Sequence, residues 1–390
     1  MEVFHEVRRV PVHNTLLMRS REEASGFPTG DITLGYCSAC GFIRNTAYDP
    51  SLQHYCGDIE ETQAFSATFN AFHQRLAEEL IGRHQLRGKT VLEIGCGKGE
   101  FLRMLCELGG NRGTGFDPAV VPERNGGGDA TFIADFYSSR YFDYQADLFI
   151  CKMTLEHIRD AAEFTGMVRR AALQRGSPAF FMVPNASHVL RSGAFWDVYY
   201  EHCSYFTPGA LARMFRAQGW RVTGLWTEYE DQYLAIEAEP CGGLESALEP
   251  HAAATEETPR EGRAAAGDFA RNVDEAIEAW RALARSMRPG GKPWALWGGG
   301  SKAVAFVSAL GGELGPSYAV DINPYKQGAF LPGSGIPVIG PAALRNQRPE
   351  YVVVMNPIYQ REVEEELARQ GVDTKVLALD AAVPPRKEVV

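Results

Sequence analysis

Residues 89–100 read Lys-Thr-Val-Leu-Glu-Ile-Gly-Cys-Gly-Lys-Gly-Glu. The short apolar run Val91–Ile94 predicts a buried strand. Gly95, Gly97 and Gly99 follow at alternate positions, and a helix is expected over Glu100–Leu108. Glycine turns tightly and lets a ligand approach backbone N–H groups. The helix start beyond it carries partial positive charge. The spacing alone does not say which nucleotide binds. A dinucleotide loop reads Gly-x-Gly-x-x-Gly, and its last position is here Glu100. Another distinction is the acidic Glu93 ahead of the first glycine. Asp117 follows the next expected strand, Thr114–Phe116, where a carboxylate can accept both hydroxyls of a ribose. Asp135 follows a third strand, within Phe132–Phe136, and is placed to take an adenine amino group.

Outward from this loop, strands and helices alternate. Leu148–Lys152 is an expected strand, a helix follows near 160–174, then a strand at Ala179–Val183 and a helix near 208–218. Such alternation implies an α/β fold, a parallel sheet with crossover helices. Upstream, Phe65, Phe69, Phe72, Leu76, Leu80 and Ile81 recur at helical spacing and predict a helix over 60–86. Four units result. Residues 1–58 are a small loop-rich module with a CxxC pair, and 59–240 form the first α/β domain. Residues 241–267, rich in Ala, Glu, Pro and Thr, read as a linker. Residues 268–390 form a second Rossmann-like block: a helix near 268–287, then strands at Trp294–Trp297, Tyr318–Val320, Tyr351–Met355 and Lys375–Leu379. The tail from Pro384 is expected to fray.

The 390-residue chain has 45% apolar and 23% charged residues, ordinary globular values that argue against wholesale disorder. Its formal charge of −10 makes it a poor general binder of nucleic acid or anionic membrane. No apolar run approaches the roughly 20 residues of a membrane span, and Met1–His13 lacks the apolar core of a signal peptide. The expectation is a cytoplasmic protein whose partner is a small molecule.

Glu93–Gly99, Asp117, Asp135 and Leu155-Glu-His-Ile158 together resemble the motifs of class I S-adenosylmethionine (SAM)-dependent methyltransferases. The resemblance implies that Gly95, Gly97 and Gly99 flank the methionine part of SAM and that Glu93 supports that end. Asp117 would take the ribose and Asp135 the adenine. His157 reads as a packing residue.

Phe195-Trp-Asp-Val-Tyr-Tyr-Glu-His-Cys-Ser-Tyr-Phe206 follows the strand ending at Val183-Pro-Asn185. It is a loop at the carboxyl ends of strands, where ligands sit in doubly wound folds. His202 is suited to proton abstraction near neutral pH. Glu201 adjoins it, but neighbours on a strand point to opposite faces, so adjacency does not make a Glu–His pair. An aromatic cap over the pocket is the other reading of these residues. Tyr199-Tyr-Glu-His202 with Ser204-Tyr-Phe206 resembles the Tyr-x-Glu-His segment of sugar 3-C-methyltransferases, which act on nucleotide-linked 4-keto-deoxysugars. That resemblance implies His202 as general base, with Tyr199 and Glu201 close to the sugar.

Trp294-Ala-Leu-Trp-Gly-Gly-Gly-Ser-Lys302 repeats strand, glycine loop, helix. Ser301 and Lys302 add a hydroxyl and a cation, a plausible phosphate cradle without the P-loop or dinucleotide spacing. Asp321–Gly328 and Met355–Tyr359 follow later strands on the same rim. Ser301, Lys302, Asn323, Lys326, Asn356 and Tyr359 are the candidate substrate contacts. The resemblance gives this block the nucleotide-diphosphate end of the substrate.

Cys37 and Cys40 look like half of a zinc knuckle. A structural zinc takes four ligands, and His5, His13, His54 and Cys56 are the candidates to complete it. A degraded knuckle held by packing is the other reading. The function expected is methylation of the carbon next to the ketone of a nucleotide-linked 4-keto-deoxysugar, by His-assisted deprotonation. Methylation of another natural product, or non-catalytic nucleotide or sugar binding, are the rival readings.

Overall fold

The computed structural model describes residues 1–124, 128–242, 255–287 and 293–380. Its elements are numbered in chain order. The first differs from expectation. Residues 1–58 build an antiparallel sheet from β1 (Glu2–Pro11), β2 (Thr29–Tyr36) and β3 (Ile43–Asn45), with the short helix α1 (Arg21–Ser25) between β1 and β2. Register breaks between Val3 and His5 and between Val7 and Val10, with positive φ at Arg9, interrupt the alternation of β1. A bulge displaces side chains from one face to the other, so the strand carries no clean period of two. The fourth strand of this sheet, β9 (Ser204–Tyr205), comes from the loop that carries His202 and pairs Tyr205 with Ile43.

The central sheet has seven strands in the order β10-β11-β8-β7-β4-β5-β6. Those expected from sequence are β4 (Thr90–Ile94), β5 (Arg112–Phe116), β6 (Ala130–Ile133), β7 (Leu148–Lys152) and β8 (Ala179–Pro184), all parallel. An antiparallel hairpin, β10 (Trp220–Glu228) and β11 (Tyr233–Pro240), extends the β8 edge. Alternate residues serve opposite faces. Leu92, Phe149, Phe181 and Val183 pack with helices α4 (Ala161–Ala172) and α6 (Pro208–Ala217). Val91, Ile150, Phe180 and Met182 pack with α2 (Ala67–Arg83) and α3 (Glu100–Gly109). Helix α2 starts at Ala67, so Phe65 precedes it and is exposed. Helix α5 (Ala186–Ser192) follows β8. From β4 the chain steps outward to β5 and from β7 to β8, on opposite sides of the sheet centre, and such a reversal of strand order opens a crevice at the carboxyl ends.

A parallel five-stranded sheet forms the C-terminal unit, in the order β14-β13-β12-β15-β16. Its strands are β12 (Trp294–Trp297), β13 (Tyr318–Val320), β14 (Val338–Ile339), β15 (Tyr351–Val354) and β16 (Lys375–Ala378). Helices α8 (Ser301–Leu310), α9 (Leu344–Gln347) and α10 (Gln360–Gln370) complete it. Helix α7 spans Pro259–Ser286, so the expected linker is shorter than 241–267. The Thr258 side chain and Glu261 form a reciprocal capping box that starts the helix, with Pro259 in its first turn. Residues 243–254 of that linker and the tail from Pro384 lie outside the described residues. One apolar cluster joins Ile32 and Tyr36 of the N-terminal sheet, Phe195 and Trp196, Phe269 and Trp280 of α7, and Phe306 of α8. Among the described residues, no helix is long and apolar enough to cross a membrane.

Candidate active site

Strand β4 ends at Ile94, and Gly95, Gly97 and Gly99 take φ of +70°, +53° and +79°. At Gly95 a Cβ would also lie 1.9 Å from Thr154 Oγ1, so a side chain has neither a relaxed backbone nor room. Asp117 holds the loop: its carboxylate accepts from Gly97 N at 2.9 Å and from Ala119 N at 2.7 Å. Burial pushes this carboxyl above the usual range, and the two N–H groups oppose the rise. Gly95, Gly97, Asp117 and Asp135 line one cavity. Asp135 also accepts from the Tyr141 hydroxyl and pairs with Arg140. Gly99 sets the start of α3 in a left-handed conformation. Glu93 corrects an expectation: it lies beneath the loop, 1% exposed, 3.2 Å from Lys152 Nζ, and is not among the cavity wall residues. As a strand residue in a doubly covered sheet it points into the protein; Lys152, its partner, reaches the cavity.

The cavity, about 700 Å³, continues from this loop past the Tyr199–His202 segment to the second glycine loop. That volume lies within the range of ligand pockets. His202 is buried, its ring 4.1 Å from that of Tyr199 and 4.8 Å from that of His157, centroid to centroid. Burial, then His157 and Lys302, hold its pKa well below 6.5, so the imidazole is neutral with a lone pair available. Burial keeps Tyr199 a phenol.

Glu201 lines the cavity but is committed elsewhere. Its carboxylate lies 3.0 Å from His13 Nδ1 and accepts from Asn14 N at 3.0 Å. It ties the end of the N-terminal strand to the loop and forms no pair with His202. His157 also differs from the packing role expected for it. It lines the cavity, and its Nδ1 donates to the Glu201 carbonyl at 3.1 Å. Sequence reasoning passed over Glu156, which is 1% exposed beside both histidines. Burial raises its pKa to about 8.

Ser301, Lys302, Asn323, Lys326, Asn356 and Tyr359 all reach the same cavity. Their charges are not free, however. Lys302 Nζ lies 2.6 Å from both Asp197 carboxylate oxygens, and Lys326 Nζ lies 3.6 Å from Asp321. Asp321 accepts from Gly299 N at 2.8 Å, as Asp117 does from Gly97 N. In both units the acid after the second strand fastens the glycine loop after the first. Asn323 Nδ2 donates to Glu60 at 2.8 Å. Asn356 and Gln232 exchange amide hydrogen bonds, and the Tyr359 hydroxyl donates to Gln63 at 2.6 Å. These four bonds and the Lys302 pair cross between the C-terminal unit and the rest of the chain.

The zinc expectation does not fit. The Cys37 and Cys40 thiols interact with each other. Among the described residues, no third His, Cys, Asp or Glu atom joins them in a cluster of ligand size. His13 is engaged by Glu201 and by the His54 backbone N–H, and the His5 ring packs edge-on against Phe269.

Residues 63–225 match the model of a methyltransferase domain, and residues 251–375 that of a C-methyltransferase C-terminal domain. The C-methyltransferase NovU of Streptomyces niveus is 27% identical over 300 residues, covering 73% of this chain and 71% of its own. Among solved structures, a Burkholderia thailandensis 1,6-didemethyltoxoflavin-N1-methyltransferase with bound S-adenosylhomocysteine shares 18% identity at a TM-score of 0.35. That match covers 45% of this chain and 81% of the other. Magnesium protoporphyrin IX methyltransferase from Synechocystis PCC 6803, with bound SAM, shares 15% identity at a TM-score of 0.32, over 46% of this chain and 86% of the other.

Proposed function

The chain is a SAM-dependent C-methyltransferase, and on that premise we propose that it methylates the carbon next to the ketone of a nucleotide-linked 4-keto-deoxysugar. One observation carries the reading. A single cavity joins the Gly95–Asp117 loop, a neutral buried histidine and a second glycine loop at the ends of a second parallel sheet. A methyl donor and an elongated nucleotide-linked substrate would meet at His202.

The residues fit SAM. The Gly95 and Gly97 wall carries no side chain, and Asp117 and Asp135 open onto the cavity. Bound there, SAM supplies an electrophilic methyl group whose leaving group is a neutral thioether. The protein's task is to make the carbon nucleophilic. His202 takes the proton from the carbon beside the ketone, and the electron pair spreads onto the ketone oxygen. A donor must meet that oxygen, and the Tyr199 hydroxyl, kept protonated beside His202, is the candidate. Glu201 acts by position, holding the loop against Asn14. At the other end, Ser301, Asn323, Lys326, Asn356 and Tyr359 grip the nucleotide diphosphate. Lys302 shares its charge between that group and Asp197.

The test is a panel of nucleotide-linked 4-keto-deoxysugars incubated in deuterated water with S-adenosylhomocysteine, then with SAM. A true substrate incorporates deuterium beside the ketone in the first incubation and gains a methyl at that carbon in the second. A ketosugar that binds tightly, yet neither exchanges nor is methylated, overturns the reading.

A further inference from the structure

Glu156 has no task in the mechanism above. It follows β7 in the turn Leu155–His157, with both carboxyl oxygens closed to solvent and without a hydrogen-bond partner. Burying a carboxyl group unpaired is costly. Its neighbours are two imidazoles: ligand-type atoms of Glu156, His157 and His202 all lie within 4.8 Å of one another. His157 uses its Nδ1 hydrogen on the Glu201 carbonyl, which leaves Nε2 as the bare nitrogen. Among the described residues, no side-chain hydrogen bond reaches the His202 ring. Glu156 stands in the wall of the same cavity, but both its oxygens are closed to solvent, so the role inferred for it runs through His202.

We propose that Glu156 is a positioning residue and the charge partner of His202: as a carboxylate it stabilises the imidazolium formed when His202 takes the substrate's proton. The inference rests on the base assigned to His202 above. In that step the C–H bond breaks, its electron pair stays with the carbon and ketone oxygen, and the proton passes to the imidazole. After methyl transfer the imidazolium gives its proton to water. Glu156 ends each cycle as it began.

The pairing has a direction in pH. Below about 8 Glu156 is protonated, and an imidazolium beside it would have only the enolate as its counter-charge. Above that, the same step ends in a neutral pair, so turnover rises with pH through about 8. His157 and His202 are held below 6.5 by burial. Cys151 and Cys203, and Tyr55, Tyr199 and Tyr233, are all pushed up by burial. Glu201, Lys302, Asp117 and His13 are the other titratable groups facing the cluster, from the loop, from α8, from the end of β5 and from the segment after β1.

Glu156→Gln keeps the shape and cannot ionise. With the ketosugar that the panel identifies, its turnover should fall about 100-fold above pH 8 and stay flat where the wild type rises. KM and SAM affinity should hold, and Glu156→Asp should recover part of the rate. Equal rates and equal pH profiles in Glu156→Gln and wild type would overturn the proposal. A second arm needs no substrate. Infrared spectra of the wild type should show a protonated carboxyl band that fades as pH rises through about 8 and is missing from Glu156→Gln. The His202 ring nitrogen resonances should shift over that range in the wild type alone. If that band is absent at neutral pH, or His202 does not respond, the pairing is wrong. If both respond and no ketosugar is methylated, the substrate reading fails and the Glu156–His202 pairing stands.

Discussion

Lys302 Nζ lies 2.6 Å from both carboxylate oxygens of Asp197, two residues before Tyr199. The second glycine loop is thereby bonded to the loop that bears His202. On the function proposed above, Lys302 would therefore bear on the chemistry as well as on the nucleotide. Lys302→Ala should raise the substrate KM and also lower kcat, because Asp197 loses its partner and Tyr199 its anchor. Asp197→Asn should weaken the anchor while leaving the cation free, so kcat falls and KM does not rise. Steady-state kinetics on both variants checks the split; a pure KM effect in Lys302→Ala would mean the ion pair does not position the loop.

Asp117 serves the cofactor end twice, by fastening Gly97 and by facing the cavity. Asp117→Ala should weaken SAM and S-adenosylhomocysteine binding by roughly 1.5–3 kcal/mol, the size of a hydrogen bond to a charged group. Calorimetry reads this directly, and unchanged affinity would remove Asp117 from the site.

His202→Asn keeps size and some hydrogen bonding but cannot shuttle a proton as imidazole does. Methylation should fall by about 10²–10⁴, the share of a general base, and deuterium wash-in should fall in parallel. Binding of both ligands should persist. The pKa of His202 itself is depressed, so protonation of the imidazole limits the rate only well below pH 6.5. On the pairing proposed above, a limb near pH 8 is expected from Glu156, and Glu61, pushed up to about 7 by burial in the same cavity, is the carboxyl from which it has to be told apart.

Glu201→Ala should act on the fold as well as the rate. The side chains of His13 and Glu201 are 2% and 5% exposed, and removal of the carboxylate leaves His13 and the Asn14 N–H without their acceptor. The expected loss is about 1–3 kcal/mol for each buried group left unsatisfied, seen in urea unfolding. Glu201→Gln should restore much of it. If both variants unfold with the wild type, the tie to the N-terminal strand carries no stability.

The parallel strands other than the two-residue β14 were legible because a strand covered on both faces is a continuous apolar run; Leu148–Lys152 is read from sequence with the bounds it has in the structure. The first glycine loop and Asp117 were legible because their spacing follows from one strand, one turn and one helix. The start of α7 was written in Thr258 and Glu261 but masked by linker-like composition. The antiparallel hairpin β10–β11 was missed: Glu237, half-way along β11, is buried against Arg83 and His84, so its polarity hides the strand. The roles of Glu201 and Lys302 had no local signal at all. Their partners lie 188 and 105 positions away, and only the packed chain sets a carboxylate where histidine or lysine needs one.

The strand that follows His202 belongs to the N-terminal sheet, with Ser204 and Tyr205 opposite Arg44 and Ile43. Tyr200, on the same loop, donates its hydroxyl and its ring to that unit: it touches Asp49 and lies so near Gly30 that a Cβ there would fall 2.3 Å from the ring. On the function proposed above, the loop that would hold the donor hangs on the central sheet, whereas the loop bearing His202 is strapped to the N-terminal sheet. A transplant of residues 59–240 into another protein would leave the His202 loop without its partner strand and the cavity without Thr15 and Tyr55. Chimeras that keep the His202 loop seated therefore have to move residues 1–58 and the 195–206 loop as one cassette.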